Sequence, residues 1–231
     1  MYAVITGASR GIGKVLAYQF AKGGYDLVLT CENNIILLES VKNDIVNKYN
    51  KKVIIKQGLL DESDLPDDIY ILINNAGKCD YNLFQDVSYD KFKEITYSNL
   101  DYTFLTTKLV CKNMIKCKQG IIINISSMWG ILGSSMEVIY SMTKGGINSF
   151  TKSLAKELKY SNVDVIAFAL GAVDTDMNDH LSESDKNELL KSLDNKKMYT
   201  CNEVAEFIFY VVSNKNYLTG DIIEYNNGLN W

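Results

Sequence analysis

The chain has 231 residues, 47% of them hydrophobic, and a formal net charge of −4; this fits one domain over 1–231 and disfavours a broad nucleic-acid surface. Its five cysteines form no Cys-x-x-Cys pair and it has one histidine, so no metal site is expected. No apolar run reaches transmembrane length and no charged leader precedes the first strand-like run, so a cytoplasmic protein with reduced thiols and no membrane partner is expected.

In chain order, "YAVITG" reads as a short buried strand and "GKVLAYQFAKGG" as a helix stopped by Gly23-Gly24. "DLVLT" is a second strand, and a helical pattern follows through "LLESVKNDIVNKYN". "KVIIKQG" and "IYILINNAG" are the third and fourth strands. Only "LLDESDLPDD", with the single proline Pro66, separates them. Parallel crossovers usually take a dozen or more residues and a helix. This crossover helix is therefore expected to be missing or reduced to a turn; a misplaced strand is the competing reading. A helical stretch from about Tyr89 to Lys116 leads to a fifth strand, "GIIINISS". A helix from Tyr140 to Lys159 leads to a sixth, "VDVIAFAL". A polar segment, read as mobile, precedes a helix at "CNEVAEFIFYVVS" and a last strand, "DIIEYN". Apolar strands alternating with helices imply a doubly wound, Rossmann-type α/β fold, with a parallel sheet of about seven strands covered on both faces.

Two stretches carry chemistry. "TGASRGIG", Thr6 to Gly13, follows a strand and opens a helix. There glycines allow a tight turn and bring backbone close to a pyrophosphate at the positive end of the helix. Tyr140 and Lys144 stand four apart on a helix and so share a face. An ammonium beside a phenol favours phenolate and lowers its pKa from ~10, one way to make a proton donor for neutral pH. By spacing alone, a surface Tyr–Lys pair is the plainer reading.

The joint pattern resembles the short-chain dehydrogenases/reductases. It comprises T-G-x-x-x-G-x-G near the N-terminus, "NNAG" at 74–77, a serine thirteen residues before Y-x-x-x-K, and an Asn in the intervening helix. The match runs from Tyr2 to Gly228. "GIIINISSMWG…YSMTKGGINSFTKSLAKEL" and "YLTGDIIEYNNG" look most like bacterial 3-oxoacyl-(acyl-carrier-protein) reductases. "SSMWGILGSSMEVIYSMTKG" and "GAVDTDM", with a Trp near the C-terminus, also resemble the elongation factor P 5-aminopentanone reductases.

The resemblance implies that Tyr140 protonates a carbonyl oxygen as hydride arrives, and that Lys144 lowers the tyrosine pKa and bonds the nicotinamide ribose. Ser127 would hold the substrate oxygen; Ser126 is one position off the family spacing. Asn99 would anchor a water that reprotonates Lys144. Cofactor contacts are implied for Gly7, Ser9, Arg10, Gly11, Ile12 and Gly13 in the glycine loop. Asp61 matches an adenine contact, and Asn75, Ala76 and Gly77 line the next loop. Tyr140, Lys144, Gly171, Val173 and Thr175 complete the set. The implied substrate is a small ketone, or one tethered to acyl carrier protein or modified elongation factor P. A homotetramer is implied, with a homodimer as the alternative.

Some positions depart from the pattern. Leu170-Gly171 replaces the usual Pro-Gly, a change expected to be tolerated because proline supplies no reacting group. His180 is read as a surface residue of a substrate lid. Arg10, the only arginine, resembles the 2′-phosphate partner of NADP-preferring members. Cys31 stands where NAD enzymes place Asp, yet Glu32 would repel a phosphate if it points inward. NADP(H) is favoured over NAD(H). Glu137, just before the catalytic helix, could face a cationic substrate arm; a capping or surface carboxylate is the alternative. A catalytically silent nucleotide-binding sensor or scaffold need not keep all of Asn99, Ser127, Tyr140 and Lys144. A hydrolase would need a nucleophile elbow served by a suitable histidine, and the one histidine, His180, is read as a surface residue.

Overall fold

Seven short runs rich in Val, Ile and Leu form the strands of the computed structural model, which describes residues 1–178 and 182–228. They are β1 (Tyr2–Ile5), β2 (Asp26–Cys31), β3 (Val53–Gln57), β4 (Ile69–Asn74), β5 (Gly120–Ser127), β6 (Val163–Leu170) and β7 (Ile222–Tyr225). All pair in parallel, in the order β3-β2-β1-β4-β5-β6-β7. The helices are α1 (Gly11–Lys22), α2 (Ile35–Tyr49), α3 (Tyr89–Thr96), α4 (Tyr102–Cys117), α5 (Trp129–Leu132), α6 (Val138–Leu158), α7 (Glu183–Ser192) and α8 (Cys201–Ser213).

Successive strand residues point to opposite faces, so each strand feeds two cores. Ile71, Ile73, Ile121 and Ile123 meet α1, α2 and α8 through Leu16, Phe20, Ile45 and Ile208. Leu72, Ile122 and Val165 meet α4 and α6 through Val110, Met114, Ala155 and Leu158. This two-sided burial explains why the strands are apolar throughout rather than alternating.

The β3–β4 crossover carries only a 3₁₀ turn, Glu62–Asp64, as its length requires. Two expectations change. The helical stretch after Tyr89 is interrupted by a π-turn, Tyr97–Asp101, between α3 and α4. The polar segment read as mobile contains α7, whose start is fixed by Ser182 and Asp185. The Ser182 hydroxyl accepts the Asp185 N–H, and the Asp185 carboxylate accepts the Ser182 N–H.

A buried polar ladder joins the strands that carry the site. Asn74 and Asn124 are register partners on β4 and β5. Asn74 Nδ2 donates to Asn124 Oδ1 (2.8 Å) and to Thr107 Oγ1 of α4 (2.9 Å). Asn124 Nδ2 donates to Thr151 Oγ1 of α6 (2.9 Å). Removing one member strands the polar groups of the others. Asn124→Leu is therefore expected to cost about 2 kcal/mol. Urea unfolding would show a lower midpoint at unchanged slope; an unshifted midpoint would remove the ladder from the account of stability.

Candidate active site

β1 lies between β2 and β4. From β1 the chain runs to α1 on one face, and from β4 to α4 on the other. The two loops diverge and leave a crevice at the carboxyl ends of the strands. A cleft of about 1720 Å³ opens there, lined by Gly7, Ser9, Arg10, Gly11 and Ile12 on one side and Asn75, Ala76 and Gly77 on the other. Ser127, Tyr140, Lys144, Gly171, Val173 and Thr175 complete its wall. It exceeds the ~300–1,000 Å³ of an ordinary small-ligand pocket.

The glycine loop is built by close approach. Gly7 has φ +66°, and a Cβ there would lie 2.9 Å from Ala76 Cα. A Cβ on Gly13 would sit 2.3 Å from the Gly7 carbonyl oxygen. Gly13 thus seats α1 against the loop rather than lining the cleft. Thr6 Oγ1 accepts the N–H groups of Asn75 and Ala76, both at 3.0 Å. Asn75 Nδ2 donates in return to the carbonyls of Thr6 (2.9 Å) and Gly7 (3.2 Å). No side chain caps α1. Its orphan first-turn amides and positive dipole end face the crevice, which suits the pyrophosphate of a dinucleotide.

Opposite, β5 ends at Ser127 and α6 carries Tyr140 in its first turn and Lys144 one turn later. Ser127 Oγ accepts the Trp129 N–H (3.2 Å) and lies near enough to the Tyr140 hydroxyl to favour its ionised form. Lys144 is only 5% exposed; its Nζ donates to the Ile125 carbonyl (2.7 Å) and lies 5.5 Å from the Tyr140 ring centroid. The pair lines the cleft rather than the outer surface, with Lys144 buried and Tyr140 half-buried. The expected lowering of the phenol pKa is not found. Burial first, then the nearby Cys79 and Glu137, push Tyr140 upward against the effect of the Ser127 hydroxyl. Burial takes Lys144 down to about 8 and Cys79 up to about 11.

Asn99 sits in the π-turn, 1% exposed. Its Oδ1 accepts the Lys78 N–H (2.7 Å), and its Nδ2 donates to the Lys78 carbonyl and Thr143 Oγ1, both at 2.9 Å. The Thr143 hydroxyl donates to the Tyr140 carbonyl (2.7 Å). Asn99 therefore stands behind the wall and holds it. Ser126 Oγ is buried and donates to Asn148 Oδ1 (2.6 Å), a structural bond to α6.

Asp61 is the expectation that fails. It does not line the cleft; its carboxylate caps the 3₁₀ turn, accepting the Ser63 N–H (2.9 Å) and bonding Lys56 Nζ (3.0 Å). Those bonds hold it well below the usual carboxylate range. Arg10 and Thr175 line the wall, with Arg10 Nη1 3.1 Å from Asp176 Oδ2. Leu170 continues β6 in register with Tyr225, so the missing proline costs no strand pairing. His180 lies outside the described residues. The sequence reading missed Lys78, Cys79 and the α7 residues Glu188 and Leu189 among the lining groups. Lys78 directly follows "NNAG", and the S-x-x-D of Ser182–Asp185 announces α7. Those signals were available. Among the described residues no helix could cross a membrane and no acid, Cys or His cluster could hold a metal.

Lys144 has a folded pKa of about 8, below its unfolded ~10.4. Below that folded value the buried ammonium costs stability, and the cost fades as pH rises toward the unfolded value. Lys144→Met is expected to exceed wild type in stability at neutral pH by on the order of 1–3 kcal/mol, with the gap closing by pH ~10. Urea unfolding of both proteins across that range measures it. A gap independent of pH would contradict the burial account.

Comparison with known proteins agrees with this geometry. The short chain dehydrogenase family model matches residues 1–186. The 3-oxoacyl-[acyl-carrier-protein] reductase FabG of Aquifex aeolicus is 36% identical over 239 residues, covering 98% of this chain and 96% of that protein. The oxidoreductase YmfI of Bacillus subtilis is 33% identical over 235 residues, covering 98% and 97%. The crystal structure of YwfH, an NADPH-dependent reductase involved in bacilysin biosynthesis, superposes with a TM-score of 0.89 at 22% identity, covering 99% of this chain and 98% of that one. The chain belongs to the short-chain dehydrogenase/reductase family and is an NAD(P)-dependent oxidoreductase.

Proposed function

We propose that the chain is an NADPH-dependent ketone reductase of the 3-oxoacyl-(acyl-carrier-protein) reductase type. The observation that carries this is the convergence of Ser127, Tyr140 and Lys144 on one cleft that also holds the glycine loop. Bound NAD(P)H supplies the hydride that adds to the carbonyl carbon. Ser127 and Tyr140 hold the carbonyl oxygen between their hydroxyls, which fixes the reacting geometry. Burial keeps the phenol protonated at neutral pH, so Tyr140 has a proton to give to that oxygen as the alcohol forms. Lys144 stands over the phenolate left behind and bonds the nicotinamide ribose. Asn99 fixes the path by which a water returns the proton. Arg10 would hold the 2′-phosphate in exchange for Asp176, and Val173 and Thr175 would line the nicotinamide side. A silent sensor would have no use for this acid–base set.

A second reading has its own observation. Asp80, Glu137, Asp185 and Glu188 all line the cleft. Glu137 is close enough to raise both Tyr140 and Cys79. That wall suits a cationic arm, such as an aminopentanone on a lysine of elongation factor P, better than an acidic carrier protein. We also propose a homotetramer, or failing that a homodimer, built partly on α6, where Val138 and Met142 are exposed.

NADPH oxidation should be followed in parallel with an acetoacetyl thioester and with aminopentanone-modified protein. Tyr140→Phe is expected to slow either reaction ~10²–10⁴-fold while NADPH fluorescence titration shows unchanged binding. Full turnover by Tyr140→Phe would refute the mechanism. Glu137→Gln should impair only the cationic substrate; thioester turnover untouched by Glu137→Gln, with none on the modified protein, leaves the carrier-protein reading alone. Light scattering at micromolar concentration should give a tetrameric mass, and a monomer would refute the assembly.

A further inference from the structure

Glu32 follows the last residue of β2 and lines the cleft. It is next to the position, held here by Cys31, where a dinucleotide fold places the acid that bonds an adenosine ribose 2′-hydroxyl, and a bare carboxylate there would repel a 2′-phosphate. The carboxylate is not bare. Lys78 Nζ reaches it from the opposite side of the crevice, 2.8 Å from Glu32 Oε1. The same ammonium lies 3.0 Å from Glu94 Oε1, and Lys91 Nζ lies 2.8 Å from Glu94 Oε2. Two acids and two lysines leave this corner formally neutral.

The backbone of Lys78 is pinned at both ends, because Asn99 accepts its N–H and donates to its carbonyl. Its side chain therefore starts from a fixed point and is 29% exposed, less than either carboxylate partner. Glu32 is held as well, through Gln57 Nε2 on its carbonyl (3.2 Å). The neighbouring Asn34 is spent on capping α2, accepting the Leu37 N–H (3.1 Å). Arg10, the other cation of the cleft's adenosine half, is already paired with Asp176, and both are well exposed. An exposed pair of that kind contributes little and is readily exchanged.

Resting on the NADPH reading above, we propose that Lys78 is a specificity-determining residue for the cofactor: by neutralising Glu32 from across the crevice, it admits a 2′-phosphate beside an acid that would otherwise exclude it. Arg10 supplies the attraction, and Lys78 removes the repulsion. Specificity set by cancelling an unfavourable charge is as effective as adding a favourable one.

The probes are 2′,5′-ADP and 5′-AMP, which differ only in the 2′-phosphate, titrated by calorimetry into the full chain. Wild type is expected to prefer 2′,5′-ADP. Lys78→Met should weaken 2′,5′-ADP by ~10–100-fold and leave 5′-AMP nearly unchanged. Adding Glu32→Gln to that variant should restore most of the loss, which a merely structural role for Lys78 would not allow. Lys78→Arg should behave as wild type. If Lys78→Met does not fold, Glu32→Gln alone decides: tighter 2′,5′-ADP binding supports the proposal and weaker binding overturns it. Equal loss of both nucleotides, or no rescue by Glu32→Gln, also overturns it. A wild type without preference for 2′,5′-ADP defeats the NADPH reading itself, a result separate from an unchanged preference in Lys78→Met.

Discussion

The site depends on the clasp between Thr6 and Asn75. The crevice exists because the loops after β1 and β4 part to opposite faces, so side chains must tie them to one another. Four hydrogen bonds do so: two N–H groups onto Thr6 Oγ1 and two from Asn75 Nδ2 onto the glycine-loop carbonyls. From there the order propagates. The segment after Asn75 delivers Lys78, whose backbone is gripped by Asn99. Asn99 bonds Thr143, and Thr143 bonds the Tyr140 carbonyl. One connected path thus runs from the glycine loop to Tyr140. Polar paths buried in low dielectric are stiff when every member is satisfied. The placement of Tyr140 relative to the glycine loop is set by that stiffness.

Against this order stands a deliberate instability. Lys144 is buried with a neutral carbonyl, Ile125, as its hydrogen-bond acceptor. Gly130 lets the backbone of α5 press on Lys144, since any Cβ there would fall 2.6 Å from the Lys144 carbonyl carbon. The fold therefore closes around an ammonium that water would solvate better. The consequence is a lysine that titrates near neutral pH and a phenol that keeps its proton. Both are what the proposed proton delivery to a carbonyl requires. Stability is given up where the chemistry needs it, and the polar ladder through Asn74 and Asn124 supports the same strands from below.

Strands and long helices were legible because two-sided burial writes unbroken apolar runs, as in "IYILIN" and "VDVIAFAL", bounded by glycine or polar turns. The family motifs brought Ser127, Tyr140, Lys144 and Asn99 into view, and the structure gathers all four around one wall. The π-turn was not legible, since Asn99 sits in a stretch whose apolar period continues on both sides. Asp61 misled because a capping aspartate and a ligand aspartate look alike in sequence; only the Ser63 and Lys56 bonds tell them apart. The phenol shift was misjudged for a related reason. Spacing on a helix reports that Lys144 is near Tyr140, but the depth of both side chains is a property of the packed sheet, and here desolvation outweighs the neighbouring charge.

The shortened crossover shows how the β2–β3 edge of the sheet survives the loss of a helix. With only Glu62–Asp64 ordered as a turn, β3 and the neighbouring β2 would lack cover on the α4 face. Tyr102, at the start of α4, extends over that gap. Its hydroxyl hydrogen-bonds Thr30 Oγ1 of β2 and donates to the Gly58 carbonyl, each at 2.8 Å. Along the same helix, Asn113 Nδ2 donates to the Asp67 carbonyl (2.8 Å) and Lys112 pairs with Glu62 (3.1 Å). Leu60 from the crossover itself fills the apolar core beneath. A helix has been replaced by one buried leucine and a row of bonds from its neighbour. Because α4 begins where the π-turn ends, Tyr102 lies three positions after Asn99, on the same continuous stretch. The bend that places Asn99 behind Lys144 and the cover that Tyr102 gives to β2 are therefore one feature of the backbone, and a change to the π-turn would disturb both ends of the cleft together.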